Sequence, residues 1–345
     1  MKIAEISNIR EAVPPRQYGG TEYVISAVTE GLVSRGNEVT LFATGDSVTD
    51  ARLESVCDRA VGFKDVIDSE VMMLLIRHLA HFAREANQFD VLHNHILETF
   101  ALLPYLGKPF ITTLHTDLSR AAEQAIFKRP EAQKTFFISI SDDQRKALPE
   151  LPYLRTIYHG IPVLEFPFRE VKGSYLVFLG RITPEKGVEV AVETAQKTGR
   201  KLIIAAKVDE PLSDYAKKML AMFNDTPNVE FIGQVGEEKK QLLANAYALL
   251  MPIKWDEPFG LVVIEAMATG TPVIAFNRGA MPEIIQEGKT GFLVKDTQEM
   301  VGAVSKIEEI DRRACRKLVE QKFSIERMVA DYEKVFEEVI RTTKK

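Results

Sequence analysis

Two glutamates, Glu257 and Glu265, lie in a stretch whose residue types could bind both an anion and hydroxyl groups. The apolar run 248–253 comes before them and predicts a buried strand. Glu265 itself lies among apolar residues, so its carboxylate is expected to be withdrawn from water and to need a partner. An ordinary strand–loop–helix unit with two solvated glutamates is the plainer alternative, and the apolar neighbours of Glu265 disfavour it.

The residues directly after Glu257 predict the start of a helix. Pro258 suits the first helical position, where its missing N–H group costs nothing. The following N–H groups would lie in a first turn without partners inside the helix, and such a turn attracts anions. Gly260 would let a bulky anion approach the backbone. The predicted anion-binding amides are those of Phe259, Gly260 and Leu261, and Glu265 would lie two turns along the helix.

Two cations mark a second loop. The predicted strand 175–179 ends in Gly180-Arg181, and Lys186-Gly187 follows shortly afterwards. Two solvated surface cations would be the default interpretation. Here both lie in a glycine-bounded turn at the carboxyl end of a strand, where open α/β sheets bind ligands. A guanidinium and an ammonium group at this place could balance a diphosphate without a metal ion.

Histidines follow two predicted strands of the first half. His93 and His95 alternate at the end of a strand and share one face. A third metal ligand at suitable spacing is lacking, so hydrogen-bonded histidines are favoured over a metal site. His115 ends the next predicted strand, 109–114. A purely structural role is the alternative there, and the position at a strand end favours a functional one.

Alternating strands and helices must position these groups. They run through both halves of the 345-residue chain and predict two doubly wound parallel sheets. Gly19-Gly20 precedes the first helix, for which Thr21 is the predicted N-cap. The glycine pair is not a Gly-x-Gly-x-x-Gly fingerprint, so a dinucleotide cofactor is not expected. It is either a tight turn or a loop that passes close to a phosphate or sugar.

Charge and composition exclude several classes of function. The net charge is −5 and neither half is basic, which argues against a nucleic-acid partner and against strong docking on anionic lipid. No apolar run reaches the roughly 18 residues of a membrane span, and the N-terminus resembles a strand rather than a signal peptide. Cys57 and Cys315 are far apart, so neither a zinc site nor a disulfide scaffold is expected and a cytoplasmic location is.

An amphipathic helix is predicted over residues 71–87, with Met72, Leu75, Leu79 and Phe82 directed inward and His78 on the wetter side. An outer helix of the first domain is the favoured interpretation. Peripheral contact of this helix with a membrane stays open, although its basic charge is small.

The motif around the two glutamates resembles that of retaining glycosyltransferases of family 4, which have the GT-B fold. The resemblance rests on Glu-Pro-Phe-Gly-Leu, on Glu-Ala-Met-Ala-Thr-Gly-Thr-Pro-Val-Ile and on the spacing of Glu257 and Glu265. Gly180-Arg181 and Lys186-Gly187 resemble the family's diphosphate clamp, and Thr113-Leu114-His115 resembles its Thr-x-His element. The match covers nearly the whole chain and is most specific from 175 to 294.

The resemblance implies a role for each candidate residue. Arg181 and Lys186 would stabilise the leaving diphosphate, while Gly180, Gly19, Gly20 and the amides of 259–261 would lie along the donor. Glu257 would hold sugar hydroxyls and Glu265 the ribose hydroxyls. His115 would lie at the donor sugar, and no side chain is assigned as general base.

The resemblance also implies an architecture and an activity. Two Rossmann-like domains, 1–165 for the acceptor and 166–324 for the nucleotide sugar, would face each other across a cleft, with helix 325–345 packing back on the first. The expected enzyme moves a hexose from a UDP- or GDP-linked donor to a carbohydrate, lipid-linked or small-molecule hydroxyl, without a metal or cofactor. A nucleotide-sugar epimerase or hydrolase and a non-catalytic nucleotide-sugar binding protein are the alternatives.

Overall fold

The computed structural model describes residues 1–16, 19–62, 69–209 and 212–343. Its contacts divide the chain into two compact units. The first contains Met1–Gly160 and the C-terminal helix that begins at Ile325, and the second contains Ile161–Ser324. Residues 161–165 fall in the second unit, where the Ile161 N–H group donates to Phe323 O at 2.9 Å.

In the first unit, the described residues form a seven-stranded parallel sheet in the order β3-β2-β1-β4-β5-β6-β7. β1 therefore pairs with both β2 and β4, and the chain reverses its winding direction between β1 and β4. The strands are β1 (Lys2–Ile6), β2 (Glu38–Phe42), β3 (Arg52–Glu54), β4 (Val91–Asn94), β5 (Phe110–Thr113), β6 (Phe136–Ser139) and β7 (Tyr153–Thr156).

Helices pack against this sheet. They are α1 (Gly20–Ser34), α2 (Ser69–Glu85), α3 (Ala121–Phe127) and the C-terminal helix, α11 (Ile325–Thr343). α11 packs on α1, and Gly31 permits the approach because a Cβ there would lie 2.4 Å from Val329 Cγ2. The prediction of Thr21 as N-cap was wrong, since the helix begins at Gly20 and Gly19 occupies the cap position.

The orientation predicted for the second helix is confirmed for Phe82, which is fully buried, and for Leu79, which packs against the same core, but it was wrong for Met72 and His78. In α2, Met72 is exposed, as are Met73 and Ile76, whereas His78 is fully buried and its Nε2 lies 2.9 Å from Ser7 O. The hydrogen bond to a backbone carbonyl gives one of the two ring nitrogens of the buried imidazole a partner. This partner lies in another part of the chain, so helical periodicity alone could not indicate it. None of the helices formed by the described residues has the length and apolar character that crossing a bilayer requires.

The described residues of the second unit form a six-stranded parallel sheet in the order β10-β9-β8-β11-β12-β13. Its winding direction reverses between β8 and β11, which pair in parallel. The strands are β8 (Tyr175–Arg181), β9 (Leu202–Lys207), β10 (Val229–Gly233), β11 (Ala246–Met251), β12 (Val273–Phe276) and β13 (Gly291–Val294). β11 is buried along its whole length, as its apolar sequence predicts.

The helices of the second unit cover both faces of its sheet. They are α4 (Val188–Thr198), α5 (Asp214–Asn224), α6 (Glu238–Ala244), α7 (Leu261–Ala268), α8 (Met281–Ile284), α9 (Thr297–Lys306) and α10 (Arg312–Lys322). Arg312 ties α10 to the sheet, because its buried guanidinium donates to the carbonyls of Arg169, Ala244 and Ala246 and to Thr271 Oγ1. The guanidinium thus supplies donors to groups that would otherwise be buried without partners.

The predicted start of α7 was wrong. The helix begins at Leu261, and Gly260 precedes it with a φ of 99°. This left-handed conformation suits glycine. The helix therefore begins three residues after Pro258, which was predicted to be its first residue. Phe259 and Gly260 therefore lie before the helix, and Glu265 is the fifth residue of α7 rather than two turns beyond an earlier start.

Candidate functional site

Both sheets place polar side chains where their winding direction reverses. Ligands bind at such switch points in open α/β sheets, outside the carboxyl ends of the strands. In the second unit, β8 ends at Arg181 and β11 ends at Met251, shortly before Glu257. In the first unit, Glu5 lies on β1 directly beside His93 of β4. Each unit thus has one candidate site.

In the second unit, Lys186 and Glu257 form a close ion pair between the loops that follow β8 and β11. Only 13% and 14% of these two side chains are exposed. The Trp255 indole donates from Nε1 to the same carboxylate oxygen, Oε2, at 3.0 Å, and Lys186 Nζ lies 5.3 Å from the centre of the indole ring. Among the described residues, no donor reaches the other oxygen of Glu257.

Glu265 forms a second lysine–glutamate pair. Its side chain is 8% exposed, and Lys239 Nζ donates to Oε1 at 2.6 Å. The expected burial and the need for a partner are confirmed, and the solvated alternative is wrong. Oε2 accepts no hydrogen bond from the part of the chain that the structure describes. Both glutamates therefore have one oxygen held by a lysine and one oxygen open to a hydroxyl group.

Arg181 is held more loosely than the two lysines. Its guanidinium nitrogens lie 3.8 Å from Glu185 and 3.8 Å from Asp209. Its Nε and the Thr183 hydroxyl are buried and have no hydrogen-bond partner among the described residues. Unpaired buried donors are uncommon and call for an explanation. Anionic oxygens would supply the acceptors that both groups lack.

The loop after β12 fixes the backbone around Glu257. The Ala280 N–H group donates to Glu257 O at 3.0 Å, and Arg278 donates to Lys254 O. Gly279 has a φ of 55°, and a Cβ there would lie 2.5 Å from the Glu257 backbone nitrogen. Arg278 and Gly279 thus allow the loop after β12 to pack closely behind Glu257. The Lys254 N–H group, in the loop after β11, donates to Glu185 O at 2.7 Å.

The predicted glycines differ in what requires them. A Cβ on Gly19 would lie 2.6 Å from Glu22 Oε2 and 2.8 Å from Pro15 Cβ, so close packing excludes a side chain there. Gly20 is an exposed first residue of α1. Gly180 lies within β8 rather than in a turn after it, and a Cβ would meet only Phe178 at 3.8 Å. Nothing in the described structure sterically demands glycine at 180.

In the first unit, Glu5 is the centre of a buried hydrogen-bond network. One carboxylate oxygen, Oε2, lies 2.8 Å from His93 Nδ1 and 2.8 Å from His95 Nε2. His93 Nε2 contacts Thr113 Oγ1 at 2.8 Å, and Thr113 Oγ1 contacts the Tyr332 hydroxyl at 3.1 Å. This arrangement confirms that the two histidines share a face and are hydrogen-bonded at the strand end.

His115 joins the same network through His95. His115 Nε2 lies 2.9 Å from His95 Nδ1, and the His115 ring stacks on His159 with centroids 5.5 Å apart. The other ring nitrogen of His115, Nδ1, is buried and has no hydrogen-bond partner among the described residues. His115 belongs to the first unit, whereas Lys186, Glu257 and Glu265 belong to the second.

Glu5, His93 and His95 also offer three ligand atoms within 4.8 Å of one another, a set that could hold a metal ion. Glu5 is the third ligand that spacing along the sequence did not indicate. Two ligands about 2.0–2.1 Å from one tetrahedral metal would stand about 3.3 Å apart. The carboxylate–imidazole distances of 2.8 Å are instead those of direct hydrogen bonds.

Burial determines the protonation of this network. Desolvation lowers the pKa of His93 to about 3 and that of His95 to about 4, and it lowers the pKa of His159 to about 3. The pKa of His115 is also lowered by desolvation and by its histidine neighbours. Desolvation raises the pKa of Glu5, against the effect of its hydrogen bond with His95. The imidazoles are therefore neutral at pH 7.

Sequence reasoning missed Glu5, Lys239 and Thr183. Glu5 did carry a signal, since it lies in an apolar strand as Glu265 lies in an apolar helix. Lys239 lies in a run of charged residues, and Thr183 becomes notable only because its buried hydroxyl lacks a partner.

Comparison with known proteins gives matches over most of the chain. The model of the family described as glycosyl transferases group 1 matches residues 165–323, and that of glycosyltransferase family 4 matches residues 18–163. The chain is also similar to N-acetyl-alpha-D-glucosaminyl L-malate synthase of Bacillus anthracis. That similarity is 25% identity over 94% of this chain and 96% of the relative.

Two solved structures illustrate the likeness in fold. Sucrose-phosphate synthase from Thermosynechococcus elongatus aligns with a TM-score of 0.80 and 19% identity, over 99% of each chain. HepE of Anabaena, solved in complex with UDP and glucose, aligns with a TM-score of 0.76 and 17% identity, over 98% of this chain and 99% of that one. Such neighbours identify the fold of this chain as GT-B.

Acid is expected to destabilise the first unit selectively, because all six histidines precede residue 161. The pKa of His78 is about 4 in the folded state, and those of His93, His95 and His159 are about 3 to 4. Below about pH 6.5 these imidazoles bind protons in the unfolded chain but stay neutral in the folded protein. The free energy of unfolding therefore decreases as the pH is lowered. Each such histidine should lower the free energy of unfolding by about 2 kcal/mol at pH 5. The raised pKa values of Glu5 and Glu22 act in the opposite direction but are fewer.

Urea unfolding at pH 7 and pH 5 measures this effect. The single tryptophan, Trp255, reports on the second unit, while circular dichroism reports on both. We expect the circular dichroism transition to move to lower urea at pH 5 by more than the fluorescence transition. Equal shifts of both transitions, or no shift, would contradict the assignment of acid sensitivity to the buried histidines.

Proposed function

The chain belongs to glycosyltransferase family 4, and we propose that it transfers a hexose from a nucleoside diphosphate to a hydroxyl acceptor with retention of anomeric configuration. The observation that supports this most is the composition of the switch point in the second unit. Two half-open glutamates follow β11, and two unpaired buried donors, Arg181 Nε and the Thr183 hydroxyl, lie at and just after the end of the adjacent strand β8. A nucleotide sugar offers hydroxyl groups and anionic oxygens to match them.

The donor would bind with its diphosphate on the loop that follows β8. Arg181 Nε and the Thr183 hydroxyl lack acceptors, and the phosphate oxygens of the donor are acceptors with full charge. Lys186 adds a point charge that Glu257 and the Trp255 ring already hold in place. A pre-positioned cation costs little reorganisation when the substrate binds.

Bond cleavage would place growing negative charge on the diphosphate. Arg181 and Lys186 would stabilise that charge, so their interactions strengthen in the transition state rather than in the ground state. The sequence contains no metal-binding Asp-x-Asp motif. These two cations, rather than a metal ion, would stabilise the charge of the leaving group.

Glu257 is proposed to orient the donor sugar. Its Oε2 accepts hydrogen bonds from Lys186 and Trp255, so this oxygen is already engaged, while Oε1 stays open to a sugar hydroxyl. Retention would then follow from attack on the face from which the diphosphate leaves, with the diphosphate taking the proton of the acceptor. Glu265 would accept the ribose hydroxyl hydrogens through its open oxygen.

The donor is proposed to carry UDP or GDP. A structural neighbour solved with UDP and glucose is consistent with the first of these. The acceptor hydroxyl, whether on a carbohydrate, a lipid-linked molecule or a small molecule, is proposed to bind in the first unit, which matches the family 4 model.

An acceptor screen against UDP- and GDP-hexoses tests the proposal, with the anomeric configuration of the product read by NMR. We expect acceptor-dependent release of nucleoside diphosphate, a product with the configuration of the donor, and most of the rate retained in EDTA. Conversion of donor alone would favour an epimerase or hydrolase. Donor binding without turnover across the screen would favour a binding protein, and loss of activity in EDTA restored by magnesium or manganese would refute the metal-independent mechanism.

The diphosphate clamp gives a kinetic prediction. Arg181→Ala and Lys186→Ala should each lower kcat/KM by roughly a hundredfold or more, because each removes a charge that faces the growing negative charge. Lys201→Ala is the matched control, since Lys201 precedes β9 at the amino end of the same sheet and, among the described residues, pairs with exposed Glu230 alone. The clamp is refuted if a folded Arg181 or Lys186 variant retains the kinetics of the control.

Substitution of the two glutamates should impair the binding of different ligands. Glu265→Gln should weaken the binding of free nucleoside diphosphate, whereas Glu257→Gln should spare it and weaken the binding or turnover of the intact sugar nucleotide. A charge-assisted hydrogen bond contributes about 1.5–3 kcal/mol, which is roughly ten- to a hundredfold in affinity. Calorimetry with both ligands measures the difference.

Glu193→Gln is the control for these variants, because Glu193 is half-exposed on α4 and pairs with Lys197. Equal losses of nucleotide affinity in both site variants, or a larger loss in Glu257→Gln, would contradict the division of roles.

A further inference from the structure

The buried network of the first unit has a definite direction of hydrogen bonding. Glu5 as a carboxylate can only accept, so its two neighbours must donate, His93 from Nδ1 and His95 from Nε2. A neutral imidazole has one N–H group, so His95 Nδ1 is then an acceptor. His115 Nε2, 2.9 Å away, must therefore carry the hydrogen that His95 accepts.

The same reasoning leaves His115 Nδ1 without a hydrogen. That nitrogen is also the one that lacks a partner among the described residues, although it is buried. A buried acceptor without a donor is destabilising, and such atoms call for an explanation. The His115 residue as a whole is partly exposed, although its Nδ1 is covered. A hydroxyl group is the kind of donor that the nitrogen lacks.

We propose that Glu5 and His95 are positioning residues that fix the tautomer of His115, so that its Nδ1 accepts the hydrogen of a substrate hydroxyl. The inference rests on the proposed glycosyl transfer for the identity of the hydroxyl-bearing substrate. It does not rest on that function for the direction of the network, which follows from contacts within the first unit.

The network has a second branch that does not reach His115. His93 Nδ1 donates to Glu5, His93 Nε2 accepts from Thr113, and Thr113 accepts from the Tyr332 hydroxyl. Tyr332 is fully buried, as are Glu5 and His93. Tyr332→Phe therefore removes a buried hydrogen bond of the same network without touching the path from Glu5 through His95 to His115. It is the matched control for stability losses.

The other titratable group that faces His115 is His159, stacked on its ring. Its pKa is lowered to about 3 by burial, so it contributes no charge near neutral pH. Among the described residues, Glu5 is the carboxyl group in direct hydrogen-bond contact with His95.

Nitrogen NMR of the full-length protein labelled with 15N-histidine tests the assignment directly. Protonated and bare imidazole nitrogens have well separated shifts, and a His115→Gln spectrum identifies the His115 signals. We expect hydrogen on Nε2 and none on Nδ1 at pH 7. A hydrogen on Nδ1 would overturn the proposal, and so would zinc or another metal bound stoichiometrically to His93 and His95. This readout is independent of whether the chain transfers sugars.

Kinetics provide the second readout. His95→Gln removes the acceptor for His115 and should lower kcat by about tenfold or more, with the affinity for free nucleoside diphosphate unchanged because that site lies in the second unit. Tyr332→Phe should leave kcat within about twofold of wild type, although it too should lower the melting temperature. Equal losses of kcat in the two variants would show that the path to His115 has only a structural role.

Discussion

A carboxylate withdrawn from water needs donors around it, and this constraint determines how both units are organised. Glu5, Glu257 and Glu265 all lie at or near the switch point of a parallel sheet. Glu5 is surrounded by two imidazole N–H groups, and Glu257 and Glu265 each face a lysine. An isolated charge at such a place would cost several kcal/mol, so the partners are required for folding before any ligand binds.

The two units meet this constraint with different chemistry. In the second unit, lysine ammonium groups leave one oxygen of each glutamate open, so the same carboxylates that are stabilised by cations can still accept hydroxyl hydrogens. In the first unit, neutral imidazoles contact Glu5, and His95 links Glu5 to His115 through two hydrogen bonds. We therefore propose that the charged site of the second unit binds a nucleotide sugar and that the polar network of the first unit ends in a single acceptor, His115 Nδ1.

The sequence predicted the two parallel sheets and the burial of Glu265 with a partner, because alternating strands and an apolar helix containing a carboxylate are local signals. It did not predict that α7 begins at Leu261, since the left-handed turn at Gly260 is packed against Met281 of α8, which lies further along the chain. Lys239 and Glu5 were missed for a related reason. Each partner lies far along the chain from the group it contacts, and only the register between strands and helices brings them together. His78 was placed on the wrong side of α2 because its partner is a backbone carbonyl of the loop after β1.

We propose above all that the switch point of the second unit binds a nucleoside diphosphate. Hydrogen exchange of the full-length protein with saturating UDP or GDP, read by mass spectrometry, tests this binding most directly. We expect slower exchange with one of these nucleotides in peptides covering 180–187 and 254–266, and unchanged exchange in peptides at the amino ends of β8 and β9. Binding that protects other segments, with 180–187 and 254–266 unchanged, would contradict it.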